Sequence, residues 1–427
     1  MFLTRSIAHK CEGIMPDVSF VGLLIVALVA FLAPFLLGLS PARRLSAVVL
    51  EIVAGILIGP SVLGWVKVDL PISILSVLGL AFLLFLSGLE VDLQRLRGRL
   101  LTYVGLAFLA SSGLALLVGY GLHAAGQMKS PLLIAIILVA TSLGVVVPLL
   151  EDAGESSTDF GQLTIAGAMF AEFGSIILLS LFFSREATST ATKLVLLGSF
   201  AVLAAGFAFV VLRLERSTRI AAVLLRLQDT TAQIRVRGAF MLVIAFAALA
   251  AVLGLETILG AFIAGVILRL VDRDRMMTHP EFRQKLEAIG FGVFIPVFFV
   301  TSGLQFDLAA LISSPSTMLR VPIFFVALLL VRGLPALLYR PLVGSRRSVA
   351  AGLLQATSLT FIVAASQIGL ELGLITKATG AALIAAGLLS VLIFPIGALT
   401  LLRRDGPTSG MVSPGQDEGE EHAGERG

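Results

Sequence analysis

Thirteen apolar stretches, each of roughly 20 residues, follow one another along the chain and leave short polar joints between them. They lie near 18–39, 45–64, 71–89, 101–122, 131–150, 160–183, 193–213, 238–254, 256–271, 289–304, 318–339, 348–369 and 378–402, the ninth being short. A bilayer core of about 30 Å is crossed by about 20 helical residues, and within it every backbone N–H and C=O must find a partner inside the protein. Helices and closed barrels meet that demand, and runs that are continuously apolar rather than alternating exclude the barrel. Of the 427 residues 57% are hydrophobic and 14% charged, against about 25% charged in soluble domains, so a soluble globule is excluded too. The expected fold is an all-α polytopic membrane protein with about 13 transmembrane helices.

The polar remainder narrows the chemistry. Cys11 is the one cysteine, which excludes a disulfide framework or a cysteine metal cluster. The four histidines fall at loops or span ends, so no resident metal and no cofactor is expected. The +4 net charge comes from basic loops that membrane topology explains, and no nucleic-acid partner is expected. Residues 1–17 lack the apolar stretch of a cleaved signal peptide, and Met15, just before the first apolar run, is an alternative start to Met1. The 403–427 tail, rich in Gly, Ser, Pro and Glu, is expected to be disordered and cytoplasmic, with no soluble regulatory domain after the membrane part. Joints after odd-numbered spans, with the end of the last span, hold 21 of the 31 Lys and Arg, and the opposite side holds 8. The positive-inside rule then places the N-terminus outside and the C-terminus in the cytoplasm of a multi-pass protein of the inner (plasma) membrane. One cytoplasmic joint breaks the trend, since 151–160 offers Glu151, Asp152, Glu155 and Asp159 and no cation of its own. It reads as an acidic funnel that concentrates cations, or as an ordinary solvated loop.

Three segments recur in order. AGILI (54–58) matches AGVIL (264–268), SGLEVDL (87–93) matches SGLQFDL (302–308), and ATSLGVVV (140–147) matches ATSLTFIV (356–363), at offsets of 210, 215 and 216. Spans one to six (18–183) therefore pair with spans eight to thirteen (238–402), and a linker helix at 193–213 lies between them. Six helices return the chain to its starting side and the seventh carries it across, so the second unit is inverted. Inverted repeats place substrate sites near the midplane, where discontinuous helices meet. The two ATSL copies are the expected breaks. Gly144 and Pro148 disfavour a continuous first helix, and Gln355, Thr357, Ser358 and Thr360 can satisfy freed backbone groups in the second. The same small polar residues would also serve plain close packing.

Two charges fall well inside spans, Glu172 and Arg332. Such residues are expensive in a membrane and are functional candidates by default. A carboxylate holds either a proton or a monovalent cation, because the proton removes the charge that attracts the metal. Thr141, Ser142 and freed carbonyls could complete an oxygen shell for Na⁺ beside Glu172, with Arg332 compensating charge. Competition between the two ions at one alternately exposed site gives antiport. The same two charges could instead form a static pair that holds helices together. Glu51 is expected to pack or pair at an interface, Glu256 to be wet at the outer end of its span, and Trp65 and Lys67 to anchor at the interface.

The segments EIVAGILIGPSVLG, GLAFLLFLSGLEVDL, ATSLGVVVPLL, TILGAFIAGVIL and VFFVTSGLQFDL together resemble the monovalent cation:proton antiporter-2 family over residues 18–402. The resemblance implies a homodimer with a dimerisation domain and a mobile core, elevator-like alternating access, and crossed, broken fifth and twelfth helices. It assigns the ion to the acid of the sixth span, matched by Ala171–Glu172, and implies roles for the basic residue at Arg332 and the unwound Thr141. Glu stands where that family usually has Asp, and Ala171 removes a polar partner. One site carboxylate implies one proton per cation and electroneutral exchange. Na⁺ is favoured, with K⁺ or Li⁺ as alternatives. Gating by the appended nucleotide-binding domain of the family's potassium systems is not expected. An organic-substrate symporter or exporter on a similar inverted-repeat scaffold is the other reading. An enzyme is not expected, because Glu172 has no second carboxylate or His within its span.

Overall fold

A computed structural model describes residues 20–39, 47–90, 99–126, 128–183, 190–215, 233–271 and 281–403. The expectations for residues 1–17, for Met15 and for the tail beyond Arg403 lie outside these described residues. All regular structure among the described residues is helical. The first half contains α1 (Phe20–Leu39), α2 (Ala47–Ile58), α3 (Leu70–Glu90), α4 (Arg99–Ala124), α5 (Pro131–Val139), α6 (Leu143–Asp152) and α7 (Asp159–Phe183). Then come α8 (Thr190–Glu215), α9 (Ile234–Val252), α10 (Thr257–Val271), α11 (Glu281–Ile289) and α12 (Ile295–Leu304). The last are α13 (Leu308–Ile312), α14 (Pro315–Leu328), α15 (Arg340–Val343), α16 (Ser345–Gln355), α17 (Thr360–Glu371) and α18 (Lys377–Arg403). Ten helical segments among the described residues are long and apolar enough to cross a membrane. Ala47–Ile58, Leu194–Val210 and Thr257–Leu270 are shorter apolar helices.

Burial separates lipid-facing from central elements. In the α16–α17 segment 89% of the apolar window is buried, against 11% in α1. Lipid tails are as apolar as Leu, so helix association in a membrane rests on close backbone approach and polar contacts more than on hydrophobic burial. The recurring segments supply that approach. A Cβ on Gly55 of α2 would strike the backbone of Val300 and Gly303 in α12, and one on Gly303 would strike Ile52 and Gly55. The second crossing is its reciprocal: a Cβ on Gly88 of α3 would strike Phe262 and Gly265 in α10, and one on Gly265 would strike Phe85 and Gly88. Each half thus lends one glycine of each motif to the other half.

Polar and irregular backbone is kept central. Residues 140–142 and 356–359 interrupt the segments at α5/α6 and α16/α17. A π turn at Leu329–Gly333 and a 3₁₀ turn at Pro335–Tyr339 follow α14, and the first carries the buried Arg332. Gly144 and Pro148, expected to cause the first break, lie inside α6 instead. The chain departs from helix at Ala140 (ψ 150°) and Ser142 (ψ 99°), where hydroxyls and a second crossing segment take over the freed groups.

Val at Gly265 or Gly303 is expected to cost about 1–3 kcal/mol or more through overpacking at the crossing backbones. Ala at Gly113 of α4, which has open space around its Cβ position, is expected to be neutral or stabilising by about 1 kcal/mol. Thermal melting of the purified variants in detergent checks both, and equal melting of all three would remove the crossings as the organising contacts.

Candidate functional site

The site begins with backbone groups that lose their partners where two helices stop. Ser142 N–H donates to Thr357 O at 3.0 Å, which ties the two interrupted segments together as they cross. Thr141 Oγ1 donates to Gln355 O at 2.6 Å and satisfies a carbonyl at the end of α16. Ser142 Oγ accepts from Leu359 N at 2.9 Å and Thr360 N at 3.2 Å, and so caps α17, the helix of the opposite segment. Ser390 Oγ of α18 accepts from Ser358 N at 3.1 Å. Thr357 Oγ1 donates back to Leu353 O at 3.2 Å, and Ser358 Oγ is buried without a hydrogen-bond partner.

The four helix ends at the crossing differ in sign. The C-terminal ends of α5 and α16 carry partial negative charge, and the N-terminal ends of α6 and α17 carry partial positive charge. Arg332 serves the negative side. It is 2% exposed, and it donates from Nε to Thr141 Oγ1 (3.0 Å) and from Nη1 to Ser111 Oγ (3.1 Å). Its Nη2 donates to Gly167 O (3.2 Å) and Gln355 Oε1 (3.3 Å). Gln355 Nε2 in turn donates to Tyr339 Oη at 3.2 Å. A Cβ at Gly167 would meet the ends of the Gln355 and Tyr339 side chains, so a larger residue there would displace the groups that pair with this guanidinium.

Glu172 serves the positive side. It is 2% exposed on α7, and its Oε2 accepts from Leu143 N, the first residue of α6, at 3.0 Å. Its Oε1 faces Ser87 Oγ at 3.4 Å. Glu172 and Arg332 therefore flank the same three residues, Thr141 to Leu143, and the hydrogen bonds of each go to different groups. The hydroxyls of Thr141 and Ser142, expected around Glu172, are directed to Gln355 and to α17 instead. Their backbone lies next to Leu143, which Glu172 holds.

Two clefts open at opposite ends of the helices. Gly79 of α3 faces Phe294 and Phe298, whereas Gly290 faces Leu86, so α3 and the α11–α12 segment run antiparallel. A cleft of about 250 Å³ at the C-terminal end of α3 is lined by Glu90, Glu151, Arg269 and Arg283, with Ala166 and Met169 of α7 also in its wall. Met169 stands one helical turn before Glu172. A cleft of about 440 Å³ at the C-terminal end of α12 is lined by Lys129, Gln305, Asp307, Leu370 and Lys377.

The acidic loop takes cations from elsewhere in the chain. Glu151 shares the first cleft with Arg269 and Arg283, and Glu155 lies 3.6 Å from Arg347. Asp152 closes α6. Glu256, expected to be wet, is buried, with its N–H 3.4 Å from Ser180 Oγ. The loop ahead of α10 folds onto α7 there and covers it. Glu51 is buried on α2, and Trp65 is 64% exposed, as an interfacial anchor would be. Sequence reasoning missed Ser87, Glu90, Ser111, Tyr339 and Ser390. Ser87 and Glu90 lay inside the recurring SGLEVDL motif, and Ser390 stands 218 positions after Glu172, close to the 216 offset of the ATSL copies. Nothing in the sequence marked Ser111 or Tyr339.

A family model described as sodium/hydrogen exchanger, transmembrane, matches residues 27–404. The chain is 31% identical over 406 residues to YjbQ of Bacillus subtilis (strain 168), a protein whose name describes a Na⁺/H⁺ antiporter, with 92% of this chain and 64% of that protein covered. It thus spans just under two thirds of that relative's length. It is 28% identical over 404 residues to a Na⁺/H⁺ antiporter of Enterococcus hirae, covering 88% of this chain and 97% of that one. The sodium proton antiporter MjNhaP1 of Methanocaldococcus jannaschii has the same fold, with a TM-score of 0.63 at 16% identity over 90% of this chain and 98% of that one.

Arg332→Ala is expected to lower stability by about 3 kcal/mol or more, because it strands several buried acceptors and two helix C-terminal ends. Arg332→Lys, a point charge without the planar fork, should fall between. Thermal melting ranks the variants, and a melting temperature unchanged in Arg332→Ala would remove its structural role.

Proposed function

Because the chain belongs to the transmembrane sodium/hydrogen exchanger family, we propose that it is a secondary antiporter that exchanges a monovalent cation for protons across the plasma membrane. Na⁺ is the favoured cation, with K⁺ and Li⁺ as alternatives. The observation that carries this reading is the buried carboxylate of Glu172, set against the start of a broken helix half and backed by a two-helix crossing. A hard monovalent cation and a proton compete for such a group, and neither needs a second carboxylate.

In the proposed cycle Glu172 releases its proton to one side, takes the cation, and delivers it to the other side as the crossing moves past the outer helices. Arg332 stays with the C-terminal ends of α5 and α16 throughout, and holds the crossing together while Glu172 changes charge. Thr141 and Ser142 contribute backbone oxygen to the ion and keep their hydroxyls on Gln355 and α17. The two halves are proposed to be inverted copies. Their reciprocal glycine crossings and reciprocal ATSL segments support this. The cleft with Glu90 and Glu151 is taken to face the cytoplasm, in line with the excess of Lys and Arg on that side. A homodimer is part of the same proposal. One carboxylate at the crossing of each protomer makes the exchange one for one and electroneutral.

Purified protein in liposomes with an internal pH dye tests the reading, with Na⁺, K⁺ and Li⁺ added in turn. Glu172→Gln should fall to the rate of protein-free liposomes while keeping its fold, since the Gln carbonyl can still accept from Leu143 N–H. Normal exchange by that variant would sink the assignment of Glu172. An imposed membrane potential should leave the wild-type rate unchanged, and a clear voltage dependence would sink the one-for-one stoichiometry.

A further inference from the structure

Glu90 takes no part in the exchange set out above, yet it stands between the first cleft and Glu172. It lines that cleft at the end of α3, one turn beyond Ser87, whose hydroxyl faces Glu172. On the facing helix Met169 lines the same cleft one turn before Glu172. Glu90 Oε2 is buried and has no hydrogen-bond partner. Its Oε1 lies 3.8 Å from Arg283 Nη2, a loose ion pair. Arg283 makes its short contact, 2.6 Å from Nε, with Glu287 on its own helix, and its side chain is 55% exposed. The cation at Glu90 can therefore leave without losing its own partner.

The opposite cleft also holds a loose ion pair, Lys377 Nζ to Asp307 Oδ2 at 3.8 Å, but that carboxylate is 31% exposed and its Oδ1 is engaged in capping α13 through Ala310 N–H. The recurring motif puts Gln305 at the place of Glu90, and Gln305 Oε1 accepts from Gln367 Nε2 at 3.2 Å. That position is neutral and satisfied, whereas Glu90 is acidic and half satisfied.

We propose that Glu90 receives the transported cation in the first cleft and passes it along the Ser87 turn to Glu172, and that the Arg283 guanidinium is the internal cation it displaces. The inference rests on the antiport reading. While Arg283 sits at Glu90, the path to Glu172 is occupied by a tethered positive charge. An incoming cation takes the carboxylate, and Arg283 withdraws to Glu287. Glu151 and Arg269, which also face this cleft, set its background charge and are left in place by the test. Gln305 offers no charge to compete for, and Asp307, the carboxylate of that cleft, is held as a helix cap, so the device acts on one side of the membrane.

Everted and right-side-out membrane vesicles, loaded with a pH dye and titrated with Na⁺, present the cation to the two clefts separately. With Na⁺ on the Glu90 side, Glu90→Gln should raise the apparent KM roughly tenfold, the order expected for removing one partly screened carboxylate, with little change in maximal rate. With Na⁺ on the other side its KM should match wild type. Arg283→Gln should lower the KM on the Glu90 side, and should have no such effect in the Glu90→Gln background. Glu90→Asp should recover most of the wild-type KM. An unchanged KM in Glu90→Gln, an equal shift on both sides, or an Arg283→Gln effect that persists without Glu90 would overturn the inference while leaving antiport intact. A wild-type protein that exchanges none of Na⁺, K⁺ and Li⁺ would overturn the antiport reading and this one with it.

Discussion

Two helices stop in the middle of this protein, and the backbone groups they release must be paired where no water is at hand. That demand organises the polar interior. An unpaired N–H or C=O in an apolar medium costs several kcal/mol, on the order of a whole domain's net stability when a few are left open. The crossing of residues 140–142 with 356–359 meets part of the demand through Ser142 N–H and Thr357 O. Side chains meet more of it: Thr141, Ser142 and Ser390 by hydroxyl, Glu172 by carboxylate. Close backbone approach at the Gly55–Gly303 and Gly88–Gly265 crossings joins α2 to α12 and α3 to α10, and α3 brings Ser87 to Glu172.

The signs of the helix ends then distribute the charges. Arg332 lies with the two C-terminal ends and Glu172 with an N-terminal end, so each ion is compensated by oriented backbone dipoles and hydrogen bonds. The hydrogen bonds of Arg332 go to neutral oxygens. This division favours a working role for Glu172 over a static pair. A carboxylate locked against a guanidinium has spent its charge. One held by an N–H and facing a hydroxyl keeps a charge that a cation or a proton can still answer.

Much of this was legible in the sequence, and the limits have physical causes. Span positions came from length and hydropathy, which the bilayer enforces residue by residue. The breaks came from the ATSL copies, because hydroxyls in a membrane need a reason. Glu172 and Arg332 stood out because a charge inside a span is costly. The first break falls in its ATSL copy as expected, at Ala140 to Ser142, but Gly144 and Pro148 lie inside the following helix, and the second crossing segment, far away in sequence, takes the freed backbone group instead. Glu256 was misread for a similar reason, since burial at a helix end depends on which loop folds over it. Ser111 and Tyr339 reach Arg332 or its partner across tertiary distances that leave no local pattern. Family membership, by contrast, was carried by motifs that stand in the sequence unaltered.

If the two halves are inverted copies, as proposed, they differ in chemistry. Leu143 N–H at the start of α6 meets Glu172, whereas Ser358 N–H beside the start of α17 meets the Ser390 hydroxyl. At the cleft mouths Glu90 is matched by Gln305. A second carboxylate at residue 390 would place two negative charges at one crossing against the single Arg332. One of them would then have to keep a proton or a second cation in every state. Serine there satisfies Ser358 N–H without charge, so the crossing can change its occupant one ion at a time. On the antiport reading, one-for-one exchange is thus set at residue 390, where serine leaves Glu172 as the carboxylate of the crossing.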